Sequence, residues 1–100
     1  MPQSPVAVRL RETRLRNGLS QKELGIRAGI DASSASPRIN QYEIGKHTPD
    51  YTTLAQLAKV LKVPVPYFYC EEDRLARLIL AYDKLSARAK NQLLTQLESE

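Results

Sequence analysis

The sequence lacks tryptophan and has one cysteine, Cys70, and one histidine, His47, among its 100 residues. A lone cysteine cannot form a disulfide within the chain, which favours a reducing, cytoplasmic setting. Because one histidine and one cysteine are too few ligands for a zinc-type centre, we expect no bound metal. Nothing in the sequence indicates an organic cofactor.

Two larger features are also missing. No stretch approaches the roughly 20 consecutive apolar residues that a membrane-spanning helix requires, and residues 1–5 have neither the basic cluster nor the apolar core of a secretory signal. The chain has no glycine-rich phosphate loop and no pair of carboxylates placed to face a cleft. We therefore expect a protein that is not an enzyme and has no membrane partner.

The basic residues are concentrated in the first part of the chain. Residues 1–70 hold ten Lys or Arg and five Asp or Glu, whereas residues 71–100 hold five and six. The formal net charge of +4 therefore comes from the first segment. Such an asymmetry suits a domain that approaches a polyanion and is followed by a tail with another role.

Capping residues predict two helices at the start of the chain. Ser4 is a hydroxyl N-cap followed by proline at the first helical position, and Gly18 ends that helix. Ser20 and Glu23 have the spacing of a capping box, in which each side chain bonds the amide of the other residue. Gly29 ends the second helix. The arginines expected on the solvent side of the first helix are Arg9, Arg11 and Arg16.

The third helix has two candidate starts. Ser36 and Pro37 repeat the signature of an N-cap followed by proline. Asp31 is also a good N-cap, and residues 32–35 tolerate a helix. We favour a regular helix from about Ser36 to Ile44, preceded by a loop or an irregular turn, because a proline inside a helix removes a backbone hydrogen bond and costs about 3 kcal/mol.

The remaining pattern predicts four more helices. Asp50 can cap a fourth helix with a strong inward stripe, and a short fifth helix through residues 67–69 covers the core with aromatic side chains. The apolar pattern then restarts, and Ser86 divides it into two amphipathic helices. The predicted fold class is all-α, with a five-helix domain over residues 1–70 and a C-terminal helical hairpin over residues 71–100.

The hairpin lies outside a complete five-helix core. Its apolar stripes need a surface to cover them, either on the first domain or on a second copy of the chain. We therefore predict that residues 74–98 form or reinforce a homodimer interface or dock a protein partner. The stripes consist of Leu75, Leu78, Ile79, Tyr82, Leu85, Leu93, Leu94 and Leu97.

The segments LSQKEL, RINQYEIGK and TPDYTTLAQLAKVLKV, with the aromatic residues that follow them, resemble the Cro and phage-repressor (XRE-type) family of DNA-binding domains. The resemblance covers about residues 9–69. It implies a helix-turn-helix in which the second helix braces against the DNA backbone and the third enters the major groove. Double-stranded DNA with a two-fold operator and a second copy of the chain are thus the expected partners.

By position, the resemblance implies that Gln21 binds a phosphate at the start of helix two and supports helix three. It also implies a partly buried structural salt bridge between Arg14 and Glu43. On helix three, Asn and Gln side chains suit adenine and Arg suits guanine, each such pair discriminating by roughly 1–3 kcal/mol. The expected DNA-binding residues are Gln21, Ser33, Ser34, Ser36, Pro37, Arg38, Asn40, Gln41, Lys46, His47, Thr48 and Tyr51.

The stretch over residues 29–37 departs from the usual family spacing by about four residues, roughly one helical turn. The additional residues either lengthen helix three, so that Ser33 and Ser34 meet DNA first, or form a serine-rich loop that donates hydroxyls to phosphate. Ile44 is also unusual, because a polar residue commonly ends the recognition helix of this family.

The implied function is sequence-specific transcriptional regulation, and the habit of the family indicates a repressor. Two alternatives stay open. One is an autoregulator of the antitoxin or restriction-controller type, whose tail engages a partner protein, and the other is a protein-interaction module with weak DNA affinity. A steep salt dependence of DNA affinity distinguishes a true DNA-binding protein from such a module.

Overall fold

A computed structural model of the chain describes residues 4–99, which form seven helices and no strand. The helices are α1 Pro5–Arg16, α2 Gln21–Arg27, α3 Ala32–Glu43, α4 Tyr51–Leu61, α5 Val65–Phe68, α6 Asp73–Asp83 and α7 Ala87–Glu98. The prediction of an all-α fold, with two more helices after the first five, is confirmed. No helix in this part of the chain has the length and hydrophobicity needed to cross a membrane.

Side-chain caps start four of the helices where the sequence predicts them. The Ser4 hydroxyl accepts from a first-turn amide of α1 at 3.2 Å. Ser20 Oγ accepts from the Glu23 amide at 3.0 Å while the Glu23 carboxylate accepts from the Ser20 amide at 3.1 Å. These bonds to Ser20 hold the pKa of the Glu23 carboxyl below its ordinary value. Asp50 and Ser86 cap α4 and α7 in a similar way.

Helix α3 begins at Ala32 rather than at about Ser36, so the prediction of a loop before Ser36 is wrong. The reason is the N-cap at Asp31, whose carboxylate accepts from the Ser33 amide at 3.1 Å and from the Ser33 hydroxyl. Both bonds lower the pKa of the Asp31 carboxyl, the hydroxyl contributing more than the amide. Asp31 thus starts the helix one turn earlier than expected.

Pro37 lies inside α3. It removes the N–H group that would bond the Ser33 carbonyl, one turn earlier in the helix. Pro37 and Ser33 are both exposed, so water can hydrate that carbonyl on the outer face of α3. This exposure reduces the penalty that led us to expect a helix start at the proline.

Helices α1–α5 enclose one hydrophobic core. Helix α3 packs along α2 and against α1, α4 contacts α2, and α5 contacts α1 and α4. The side chains at the centre of the core are fully buried: Leu10, Leu24, Ile39, Leu54, Leu57 and Phe68. This packing fixes α3 on the body and leaves its opposite face accessible.

The two C-terminal helices pack less tightly than the first five. Within the described residues, Ala76 is the only buried residue of α6, and α7 has none. The Cα radius of gyration is 15.1 Å, compared with about 13 Å for a compact domain of this length. The hairpin therefore extends from the five-helix body and keeps most of its leucines accessible.

The prediction that Arg9 lies on the solvent side of α1 is wrong. The residue is only 8% exposed, whereas Arg11 and Arg16 are exposed as predicted. The difference arises because the Arg9 guanidinium group finds hydrogen-bond acceptors in the segment between α5 and α6.

Candidate nucleic-acid interface

Helices α2 and α3 approach each other closely at Gly25 and Ala35. A Cβ atom added at Gly25 would lie 2.7 Å from the Ala35 Cβ and 3.0 Å from its Cα. The turn between the helices passes through Gly29, whose φ of +94° lies in the left-handed region that favours glycine. The close approach and the turn together set the angle at which α3 crosses α2.

We expect Gly25→Ala to lower the melting temperature, because the added methyl group must push α2 and α3 apart. Overpacking costs about 1–3 kcal/mol, and the contacts with the Ala35 backbone favour the upper part of that range, above the roughly 1 kcal/mol that alanine gains over glycine in a helix. A drop of about 5–10 °C should follow in a thermal melt. The double variant G25A/A35G removes the opposing Cβ atom and should recover part of the loss. An unchanged melting temperature for G25A would contradict the close approach.

The outer face of α3 brings together residues predicted to contact bases. At about 100° per residue, Ser33, Pro37 and Gln41 point away from the buried side of the helix, and Asn40 lies beside them. Ser33, Pro37 and Asn40 are exposed, and Gln41 is half-buried. Ile44 follows at the C-cap and is 56% exposed at the end of the same face. At the edges of this face lie Ser34, Ser36 and Arg38.

Gln21 connects the start of α2 to α3. Its Nε2 donates to Asn40 Oδ1 at 3.2 Å and to Glu43 Oε1 at 3.2 Å. The Gln21 side chain is half-buried between the two helices. Its amide group therefore fixes the orientation of Asn40 on the outer face of α3.

Arg14 and Glu43 form a two-pronged ion pair between α1 and α3. Arg14 Nε lies 2.6 Å from Glu43 Oε2, and Arg14 Nη2 lies 3.0 Å from Glu43 Oε1. Arg14 Nη1 also donates to the Leu19 carbonyl at 2.9 Å. The hydrogen bond and charge of Glu43 raise the pKa of Arg14 above its ordinary value, although burial acts in the opposite direction. The pair holds the C-terminal end of α3 against the body.

Arg38 lies beside the start of α4. Its Nη2 donates to the Tyr42 hydroxyl at 2.8 Å, and its guanidinium carbon lies 5.9 Å from the centre of the Tyr42 ring. The pKa of the Asp50 carboxyl is lowered, chiefly by hydrogen bonds from Thr53 and to a smaller extent by the charge of Arg38. Arg38 is thus held at the rim of the α3 outer face.

Four of the predicted DNA-binding residues lie on the segment that runs from the end of α3 to the first residue of α4. The Gln41 carbonyl accepts from the Lys46 amide at 3.0 Å and from the His47 amide at 3.2 Å, which joins this segment to α3. The four predicted residues are all exposed: Lys46, His47, Thr48 and Tyr51. They form a polar rim along one side of the α3 outer face.

Two residues that position this interface were not predicted from the sequence. Tyr42 holds Arg38, and the spacing of four residues between them is a signal that both side chains lie on one face of a helix. Gly25 permits the close approach of the two helices, and a glycine inside a predicted helix is a signal of such an approach because it costs helix stability. Within residues 4–99, no group of three or more His, Cys, Asp or Glu side chains could hold a metal ion.

Two short helices joined by a tight turn, with an exposed polar face on the second, define the class of helix-turn-helix DNA-binding proteins. A family model described as a helix-turn-helix domain matches residues 6–66, and the chain belongs to this family. The family resemblance identified in the sequence is thereby confirmed.

Among solved structures, the crystal structure of transcriptional regulator BswR is similar to this chain. The two are 47% identical with a TM-score of 0.85, and the match covers 94% of this chain and 93% of that one. At this coverage the likeness extends into the C-terminal hairpin. A comparison with curated proteins gives no match. Together the family and the solved structure support a role in DNA-binding transcription regulation.

Proposed function

We propose that the protein is a sequence-specific transcriptional repressor that binds a two-fold operator as a homodimer through α3. The outer face of α3 carries this proposal, because its polar side chains stand exposed on a helix braced by the buried Arg14–Glu43 pair. An α-helix with its side chains is about 10–12 Å across, which fits a major groove about 12 Å wide, and the 12 residues of α3 extend about 18 Å along it. Repression follows if the bound protein excludes polymerase from the operator.

The proposed base contacts come chiefly from Asn40 and Gln41. Because Asn40 Oδ1 accepts from Gln21, its Nδ2 is the atom presented to DNA, and a donor there suits N7 of a purine or O6 of guanine. The Gln41 amide can pair bidentately with adenine. The earlier start of α3 extends the face to Ser33. Pro37 lies at the centre of the same face and offers apolar contact only. Both Nε2 hydrogens of Gln21 bond within the protein, so its proposed phosphate contact is made by its main-chain N–H at the start of α2. The other proposed edge and phosphate contacts are Ser34, Ser36, Arg38, Lys46, His47, Thr48 and Tyr51.

Selection of bound sequences from a random DNA pool tests the proposal directly. We expect an enriched palindromic motif whose half-sites are separated by about one helical turn or a multiple of it. A motif without two-fold symmetry would contradict the homodimer on a two-fold operator. The absence of any enriched motif at low salt would contradict sequence-specific binding.

Arg38→Ala is expected to weaken operator affinity roughly tenfold, as loss of one good Arg contact to a base does. If Arg38 contacts a phosphate instead, the slope of log affinity against log salt should fall by about 1. Arg74→Ala is the matched control, since it removes the same charge from α6, where the Arg74 side chain is 90% exposed. Fluorescence anisotropy over a range of salt concentrations measures both effects. Equal affinities of the two variants for the operator would show that Arg38 does not contact DNA.

The exposed leucines of α6 and α7 favour a second candidate function. In this alternative the hairpin docks a protein partner, as in an autoregulator of the antitoxin or restriction-controller type, or in an interaction module with weak DNA affinity. A shallow salt dependence of DNA binding would favour the interaction module. A DNA-binding regulator acts where the chromosome lies, so we also propose a cytoplasmic location.

A further inference from the structure

Arg9 binds the segment between α5 and α6 with several contacts. Its Nε donates to the Cys70 carbonyl at 3.0 Å, and its Nη2 donates to the Glu71 carbonyl at 3.2 Å. Nη2 also donates to the carboxylate of Asp73, the first residue of α6, at 3.0 Å. Its guanidinium carbon also lies 5.4 Å from the centre of the Tyr67 ring. We call these five residues the Arg9 clasp. The clasp attaches the start of the hairpin to α1.

The clasp depends on the shape of an arginine side chain. The Arg9 side chain is 10% exposed, and its rigid planar fork spreads its N–H donors over three acceptors, a spacing that the compact ammonium of a lysine does not match. The Asp73 side chain, by contrast, is 87% exposed. Replacing its carboxylate therefore weakens the clasp without disturbing the core.

Helix α1 connects the hairpin to the recognition helix. Arg14 holds α3 through Glu43, and Arg9, five residues earlier on α1, holds the start of α6. The two side chains leave α1 about 140° apart and about 7.5 Å apart along its axis. Ala76 is the one buried residue of α6 in the described chain, and two further apolar side chains of α6 pack partly buried against the core. The clasp adds directional hydrogen bonds at the start of α6, so it contributes, together with this packing, to the hairpin's direction relative to α3.

We infer that Arg9 is a positioning residue that sets the distance between the two operator half-sites. This inference rests on the proposed function, in which the hairpins of two copies pair and each α3 reads one half-site. Helix α6 has 11 residues and is about 16 Å long, so a rotation of about 10° at the clasp moves its far end by about 3 Å. That displacement is close to the rise of about 3.4 Å per base pair.

The test measures affinity for operators in which the separation of two selected half-sites changes in steps of one base pair. Wild-type protein is expected to prefer one separation over its neighbours by about tenfold. Arg9→Gln should reduce this preference to about threefold or less and leave affinity for an isolated half-site within about twofold. Arg9→Lys, which restores the charge without the fork, and Asp73→Asn, which keeps the carbonyl contacts, should give intermediate preferences.

Glu72→Gln is the matched control for Asp73→Asn. It removes one charge from the neighbouring residue, whose carboxylate lies 3.4 Å from the exposed Arg74, and should keep the wild-type profile. If the Arg9 variants do not fold, the preference of Asp73→Asn for one half-site separation tests the inference alone. If the folded clasp variants prefer the same half-site separation as strongly as the wild-type protein does, the inference is overturned. The proposal of a two-fold operator is not affected by that result. A wild-type protein with no preferred separation overturns the proposed operator and this inference with it.

Discussion

Glu43→Ala is expected to unfold at a far lower temperature than the wild-type protein. The Glu43 side chain is 2% exposed and that of its partner Arg14 is 11% exposed, so the substitution leaves a buried guanidinium charge without its carboxylate. Breaking a buried ion pair in this way costs about 3–5 kcal/mol. For a domain of this size the melting temperature should fall by about 15 °C or more. A thermal melt followed by circular dichroism measures the change.

Gln41→Ala is the control for this experiment, because Gln41 lies on the same helix and its main-chain carbonyl, which remains, is the group that binds the next segment. Its stability should stay within about 0.5 kcal/mol of wild type, while its operator affinity falls. Equal melting temperatures for Glu43→Ala and Gln41→Ala would contradict a structural role for Glu43 and a DNA-contacting role for Gln41.

A double variant tests whether the unpaired charge is the cause of the loss. R14M/E43L replaces the pair by apolar side chains of similar length, and such replacements of buried ion pairs are often neutral or stabilising. The double variant should therefore recover most of the stability that Glu43→Ala loses. A double variant as unstable as Glu43→Ala would mean that the geometry of the pair, rather than the unpaired charge, supports α3.

The parts of the fold that the sequence predicts well depend on neighbouring residues. Ser20 and Glu23 form the expected capping box, and Asp50 starts α4 where its spacing from the following apolar stripe indicates. In such cases the donor and acceptor lie within one turn of each other, so their chemistry can be read from the order of residues.

The start of α3 and the place of Arg9 could not be decided from neighbouring residues alone, although Asp31 offers a local N-cap for α3. The cost of Pro37 depends on whether the Ser33 carbonyl faces water, which the packing of α3 on α2 decides. Arg9 binds Cys70 and Asp73, which lie 61 and 64 residues away along the chain. Neither effect has a local signal, and the same holds for the contact of Gln21 with Asn40, which requires the crossing angle of two helices.

Replacing both Leu94 and Leu97 by lysine is expected to convert the proposed homodimer into a monomer. These side chains are 47% and 52% exposed in the single chain, and α7 has no buried residue within the described part. A second copy that covers them removes apolar surface from water, whereas a lysine at the same place would bury an unpaired charge. Light scattering should give twice the 11.3 kDa chain mass for the wild-type protein and a single chain mass for the variant.

The same variant should separate dimerisation from base recognition. Linking two half-site contacts through one dimer raises affinity by about 100-fold or more over a single contact. The double variant should therefore lose about that factor on a two-half-site operator and bind an isolated half-site as wild type does. Leu15→Lys is the matched control, because Leu15 is 56% exposed on α1, outside the hairpin. A double variant that remains dimeric would place the interface elsewhere. A monomeric variant with unchanged two-site affinity would mean that DNA, rather than the hairpin, brings the two copies together.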